Sequence, residues 1–281
     1  MCGVKKIIFM VDPSGCPYDF RSSINNTIRF SPILVMIGSW ILLYFPLTRG
    51  KMLFLLKENH PVEMLTFVFL LLGGFWGILL AVRSKKTGKD RLSTIFFAVF
   101  SIGLIFTAME EIAWGQQFFS FETPALWKMI NRQEETTFHN IVGLHTHSEM
   151  FRLTYGAGGL IGVWLSFRPR FKRIGAPSIL LSWFLVISLH AGLDLYRDCF
   201  PFEKQFGFFM QRTSEVVELL IGISGFLYVL IHYMIPTINQ KGHFEDEVVD
   251  YGTNASPRGK IIAIVEAPSR RAVSAKSNHK C

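Results

Sequence analysis

LSTIFFAVFSIGLIFTAMEEI, residues 92–112, is an apolar run that ends on two adjacent carboxylates, Glu110 and Glu111. A helix needs about 20 residues to cross a hydrocarbon core about 30 Å thick, and this stretch has that length. Working outward, comparable windows fall near 31–48, 62–82, 150–167, 177–196 and 214–235. The sequence therefore predicts an all-α protein, a polytopic membrane helical bundle of about six transmembrane helices. Composition agrees, since half of the 281 residues are hydrophobic, 27 of them Phe, and mean hydropathy is +0.33.

The net charge of +8 does not point to nucleic acid, because the basic residues cluster where topology signals belong. Arg83, Lys85, Lys86, Lys89 and Arg91 lie between the second and third windows, and Arg168, Arg170, Lys172 and Arg173 between the fourth and fifth. By the positive-inside rule both loops are cytoplasmic. Lys5, Lys6, Arg21 and Arg29 place the amino terminus on that side, and six crossings return the carboxyl terminus to it. Residues 1–30 read as an N-terminal cytoplasmic or interfacial arm, 31–236 as the transmembrane domain with an outer loop at 113–149, and 237–281 as a disordered cytoplasmic tail. The short apolar run after Lys5 and Lys6 meets the turn Asp12-Pro13-Ser14-Gly15, so the first span is expected to act as the targeting element.

Cys2, Cys16, Cys199 and Cys281 form no CxxC pair, which leaves neither a disulfide framework nor a zinc ribbon to read. Sequons at Asn25 and Asn254 fall on the cytoplasmic side of this topology and are chance matches. Gly73 and Gly77, like Gly158 and Gly162, are four apart. That spacing lets helix backbones approach closely, and packing within one bundle is the expectation.

The polar residues inside the spans are the guide to function. An ionisable side chain in a bilayer costs roughly 2.5–3.5 kcal/mol even on the lenient insertion scale, so it persists where it faces a partner, a cavity or a substrate. Glu110 and Glu111 end an outward-running helix, and His190 and Asp194 end another. Glu215 and Glu218 open an inward-running one, while His139, His145, His147 and Glu149 precede the fourth window. All of these converge on the outer leaflet. His190 and Asp194 are four apart and Glu215 and Glu218 three apart, so each pair shares a helix face and can ligate a metal or hold a water. Glu111, His139, His145, His190, Asp194, Glu215 and Glu218 are candidate ligands for a divalent metal such as zinc, iron or manganese. Without a metal, a glutamate can itself be the general base. Each group also has a plainer role: Glu110-Glu111 at a water interface, Glu215 and Glu218 at the positive end of a helix dipole, the loop histidines in solvent. Between the third and fourth spans, a short interfacial helix is expected around Ala125–Arg132, with Trp127 and Met129 dipping into lipid.

The order of these groups resembles the CPBP membrane proteins, the CAAX-protease and Abi family of glutamic-type intramembrane proteases. Their pattern is Glu-Glu followed shortly by Arg, then Phe-x-x-x-His, then His-x-x-x-Asn or Asp. Glu110-Glu111 and His190-Ala191-Gly192-Leu193-Asp194 match the outer elements, with His139 or His145 for the middle one. The arginine after the glutamates is missing, and neither histidine has Phe four residues before it. The resemblance implies that Glu110 or Glu111 activates water and that His190 with Asp194 orients it or binds the developing charge. The stretch Glu110–Gln116 with Glu135–Asn140 also looks like a set of uncharacterised bacterial multi-pass proteins. Alkaline ceramidases, which bind zinc through three histidines and an aspartate, are a weaker likeness, since their His-x-x-x-His pair is missing.

The expectation is a membrane hydrolase of a bacterial inner membrane or plasma membrane. It would act at the outer leaflet on a membrane peptide or a lipid amide or ester, with catalytic residues Glu110, Glu111, His139, His190 and Asp194. The alternative from another class is a non-enzymatic membrane protein, an ion- or proton-coupled carrier or a structural subunit, using the same cluster.

Overall fold

The computed structural model describes residues 18–57, 60–86, 91–131, 136–138, 148–200 and 204–253, with side chains from 25 to 234 apart from 117, 198 and 199. The regular elements described are helices: α1 Tyr18–Tyr44, α2 Pro46–Leu55, α3 Pro61–Lys86, α4 Arg91–Glu111, α5 Gln116–Phe119, α6 Ala125–Ile130, α7 Ser148–Ser166, α8 Leu181–Cys199 and α9 Lys204–Thr253. The chain divides into two units, Met1–Ile238 and Asn239–Cys281, and the core described here belongs to the first. Helix α9 extends to Thr253; residues 254–281 of the expected tail lie outside the described residues, as do residues 1–17 of the arm.

Five helical stretches are long and apolar enough to cross a membrane: Asn25–Tyr44, Pro61–Lys86, Arg91–Glu111, Ser178–Arg197 and Lys204–Met234. The protein is thus an all-α, multi-pass membrane bundle. The window at 150–167 also folds as a helix, α7, but Glu149 and Arg152 in its first two turns lower its apolarity. It nevertheless runs antiparallel along α8. A Cβ added at Gly156 would meet Ser188 and Ile187, and one at Gly159 would meet the Phe184 ring.

Small residues set these contacts. Gly73 faces Leu104 and the Phe226 backbone, and Gly77 faces Ser101, so this pair packs α3 against α4 and α9 as expected. Gly158 faces open space, however, and the close approach of α7 to α8 is made by Gly156 and Gly159 instead. Helix α9 is central. Val217, Leu220, Tyr228 and Val229 are buried with Leu70, Phe97, Leu104, Val163, Trp183 and Ile187 from four other helices. A smaller cluster of Leu43, Met52, Leu56 and Val216 seats α2, a short helix begun by Pro46 at its first position, against α1 and α9.

Pro32 lies inside α1 and has no amide hydrogen to give the carbonyl of Ile28. That carbonyl is satisfied by side chains instead: the indole nitrogen of Trp183 on α8 donates to it at 2.9 Å, and Ser31 Oγ of α1 itself donates at 2.9 Å. Ser182 Oγ donates to the carbonyl of Arg29, the next one disturbed by the ring. A proline in a membrane helix is tolerated when neighbours satisfy the freed backbone in this way. Trp183→Phe is therefore expected to lower unfolding stability by about 1 kcal/mol, the cost of an acceptor losing one of its two donors. Chemical unfolding in detergent should show a smaller loss in a Pro32→Ala background, where α1 regains its own hydrogen bond.

Candidate functional site

The ends of α4 and α8, the beginnings of α3 and α7 and an interior stretch of α9, which starts at Lys204 and so does not open on Glu215 and Glu218 as expected, meet at one end of the bundle, where Arg152 joins α7, α8 and α9. Its guanidinium lies 3.3 Å from Asp194 of α8, 3.6 Å from Glu149 one helical turn earlier, and 3.6 Å from Glu218 of α9. Arg197 completes the group at 3.0 Å from the other Asp194 oxygen. The Asp194 and Arg152 side chains are 2% and 7% exposed, so these charges are removed from water. Burial of that kind is sustained only by full pairing, because each ion loses several kcal/mol of hydration.

Beside this knot lies an excess of acid. Glu111, half-buried at the end of α4, has Glu218, Glu63, Glu215 and Glu110 as its electrostatic neighbours. The expected convergence of Glu110, Glu111, Asp194, Glu215 and Glu218 is therefore present. With Glu63 and Glu149 added there are more carboxylates than the two arginines neutralise.

Glu110 and Glu111 are not equivalent. One oxygen of Glu110 accepts from the Trp114 indole, and the other accepts from the Phe138 amide at 2.7 Å. Glu110 is a buried peg on which the outer loop is hung. Around it the chain adopts three successive left-handed residues: Ala113, Trp114 and Gly115 have φ of 46°, 56° and 89°. Such conformations cost about 1–2 kcal/mol per non-glycine residue, and they persist here because the loop is over-determined. Thr136 Oγ1 donates to the Ala113 carbonyl at 3.0 Å, the Thr136 amide donates to Gln116 Oε1 at 3.0 Å, and Asn131 donates to the Thr137 carbonyl at 2.8 Å. The loop helix appears as expected, as α6 over Ala125–Ile130, and Trp127 is its least exposed residue. It is half-buried, its ring edge-on to Phe138 at 5.1 Å, and Met129 is the exposed one.

His190 is buried, with Nε2 2.9 Å from Thr213 Oγ1. That hydroxyl spends its own hydrogen on the Phe209 carbonyl at 2.8 Å, so Nε2–H is the donor and Nδ1 carries the lone pair. Nδ1 has no hydrogen-bond partner. The expectation that His190 and Asp194 act as a pair is replaced by a division of labour, with Asp194 turned to the two arginines and His190 to Thr213. The His60 ring lies edge-on to that of Phe54 at 4.4 Å. His139, His145 and His147 lie outside the described residues.

These partners do not fit a metal ion. A divalent cation at Asp194 would sit against Arg152 and Arg197, and the donor set there is already occupied. Among the described residues no three His, Cys, Asp or Glu are grouped to hold a metal.

Sequence reading missed Arg152, Arg197, Glu63 and Thr213. The signal for Arg152 was available: an arginine inside an apolar window obeys the same rule that singled out the acids.

Arg152→Met should cost about 3–5 kcal/mol by stranding Glu149 and leaving the buried Asp194 with Arg197 as its remaining ion-pair partner. Denaturant titration should recover part of that loss when Asp194→Asn is added. Glu110→Ala should leave the Phe138 amide without its acceptor. Its hydrogen exchange is expected to accelerate about tenfold for each 1.4 kcal/mol of local stability lost, while amides of α8 stay protected.

No protein-family model matches the chain, and no curated protein or solved structure matches it either.

Proposed function

We propose that this protein is a membrane-embedded hydrolase in which Glu111 activates water without a metal. Its substrate is a peptide or a lipid amide or ester at the outer leaflet of a bacterial inner membrane or plasma membrane. The observation that carries this reading is the asymmetry of the two glutamates: Glu110 spends both oxygens on the loop, whereas Glu111 stands half-buried among carboxylates next to the Arg152 knot. In this scheme the Glu111 carboxylate takes a proton from water as the oxygen attacks the substrate carbonyl. The resulting oxyanion needs a fixed donor. Arg152 Nε, buried and without a hydrogen-bond partner, is the one that the site offers, with Asp194 holding the guanidinium in place. His190, whose Nδ1 lone pair is open, takes up the proton that Glu111 removed from water and passes it to the leaving group as the carbonyl–nitrogen or carbonyl–oxygen bond breaks. The partial likeness to glutamic intramembrane proteases supports the same assignment of the base, whereas the ceramidase-like alternative would need a zinc set that the described residues lack.

One observation favours the second reading, a proton- or cation-coupled carrier. Half-buried and buried polar groups continue along the bundle from the site: Tyr155 and Ser224 hydroxyls 3.0 Å apart, then Tyr228 donating to the Ile174 carbonyl, then His232 with Nδ1 2.9 Å from the Tyr228 carbonyl. Each of these groups already has a local partner, which is why hydrolysis ranks first.

The purified protein in liposomes, offered fluorogenic membrane amides and esters, is expected to turn over, with Glu111→Gln reducing kcat at least 100-fold and Glu110→Gln acting mainly through stability. Absence of turnover alongside proton flux that depends on Tyr155 and His232 would favour the carrier.

A further inference from the structure

The outer loop carries an apolar surface out of keeping with a water-facing hairpin. Phe119 is 81% and Met129 74% exposed, with Phe118, Phe121 and Leu126 exposed beside them. These side chains are not the edge of the core, which lies between the long helices. Two contacts fix the level at which they stand. The Phe118 ring lies 6.3 Å from that of Phe67, six residues into α3, or about 9 Å along the axis from its start at 1.5 Å per residue. Amphipathic elements at a membrane surface sink by about 5–10 Å, so this level is inside the leaflet. The second contact is a chain of rings. Phe106, exposed on the outer surface of α4, meets Phe138 at 5.9 Å, and Phe138 meets Trp127 on α6 at 5.1 Å. The lipid-facing surface of α4 thus continues without a polar break onto α6.

We propose that the α5–α6 segment is a ledge inserted in the outer leaflet, whose occupants are phospholipid acyl chains packed against Phe118, Phe119, Leu126 and Met129. Lys128 and Glu122, both exposed, remain at headgroup level, where long charged side chains keep their hydration while their stems lie along apolar surface. The ledge hangs from Glu110 through Trp114 and Phe138, so lipid lying on it is brought to the rim of the Glu111 cluster. Access is then sideways from the leaflet, and the substrate class narrows to molecules already dissolved in it. That last step rests on the hydrolase reading; insertion of the ledge does not.

The test uses the full chain in phosphatidylcholine vesicles, with Cys2, Cys16, Cys199 and Cys281 changed to Ser and one spin label at Phe119→Cys or Met129→Cys. Both positions are exposed, so labelling removes no core contact. Gly38→Cys on α1, where an added side chain meets nothing, gives the in-lipid reference, and Glu122→Cys the headgroup reference. The expected result is that labels at 119 and 129 collide with oxygen several-fold more than with a water-soluble nickel complex, like the label at 38. A nickel-dominated ratio like that at 122 would overturn the proposal. Protection from both quenchers, the sign of a second protein copy covering the ledge, would overturn it equally. Oxygen-dominated ratios in a protein that hydrolyses nothing would leave the ledge standing and remove the hydrolase.

Discussion

Pairing of Arg152 with Asp194, Glu149 and Glu218 is the constraint on which the architecture of this end of the bundle depends. A guanidinium has donors in a fixed fork and cannot shed its charge, so its partners must come to it. Here they come from three helices, and their meeting fixes the rotation of α7, α8 and α9 about their own axes. Rotation of α8 that withdrew Asp194 would also part His190 from Thr213, since the two residues are one turn apart. The glycines act on the same geometry from the other side. Gly156 and Gly159 let α7 lie close to α8, which brings Arg152 within reach of Asp194.

Much of this was legible in the residues. Apolar windows marked five helices of spanning length and located α7, because hydropathy is a local property of the chain. Convergence of Glu111, Asp194 and Glu218 followed from alternating helix direction alone. The partners of these groups could not be read that way. Whether Asp194 would face His190 on its own helix or Arg152 on another depends on helix rotation, which short motifs do not encode. The difference between Glu110 and Glu111 was equally hidden, since it arises from a loop residue, Phe138, lying 28 positions away. Glycine spacing misled at Gly158 for a related reason: α7 turns that residue outward and uses Gly156 and Gly159 for the contact.

The loop after α4 shows how a few side-chain bonds can hold a strained backbone. Three left-handed residues in a row would unwind if left to themselves, and bonds from Glu110, Thr136 and Gln116 hold them. The last turn of α4 and the α5–α6 segment therefore behave as one mechanical unit. A displacement of one is felt at the other, without any path through the bundle core.

Pro32 carries a consequence for how the bundle is made. Ile28 and Arg29 leave the ribosome long before Ser182 and Trp183, so during synthesis their carbonyls must rely on water, on Ser31, or on other helices for hydrogen bonds. The first span thus enters the membrane incomplete and reaches its final seat only when α8 arrives to close it. Biogenesis at that end runs backwards along the chain, with the earliest helix among the last to settle.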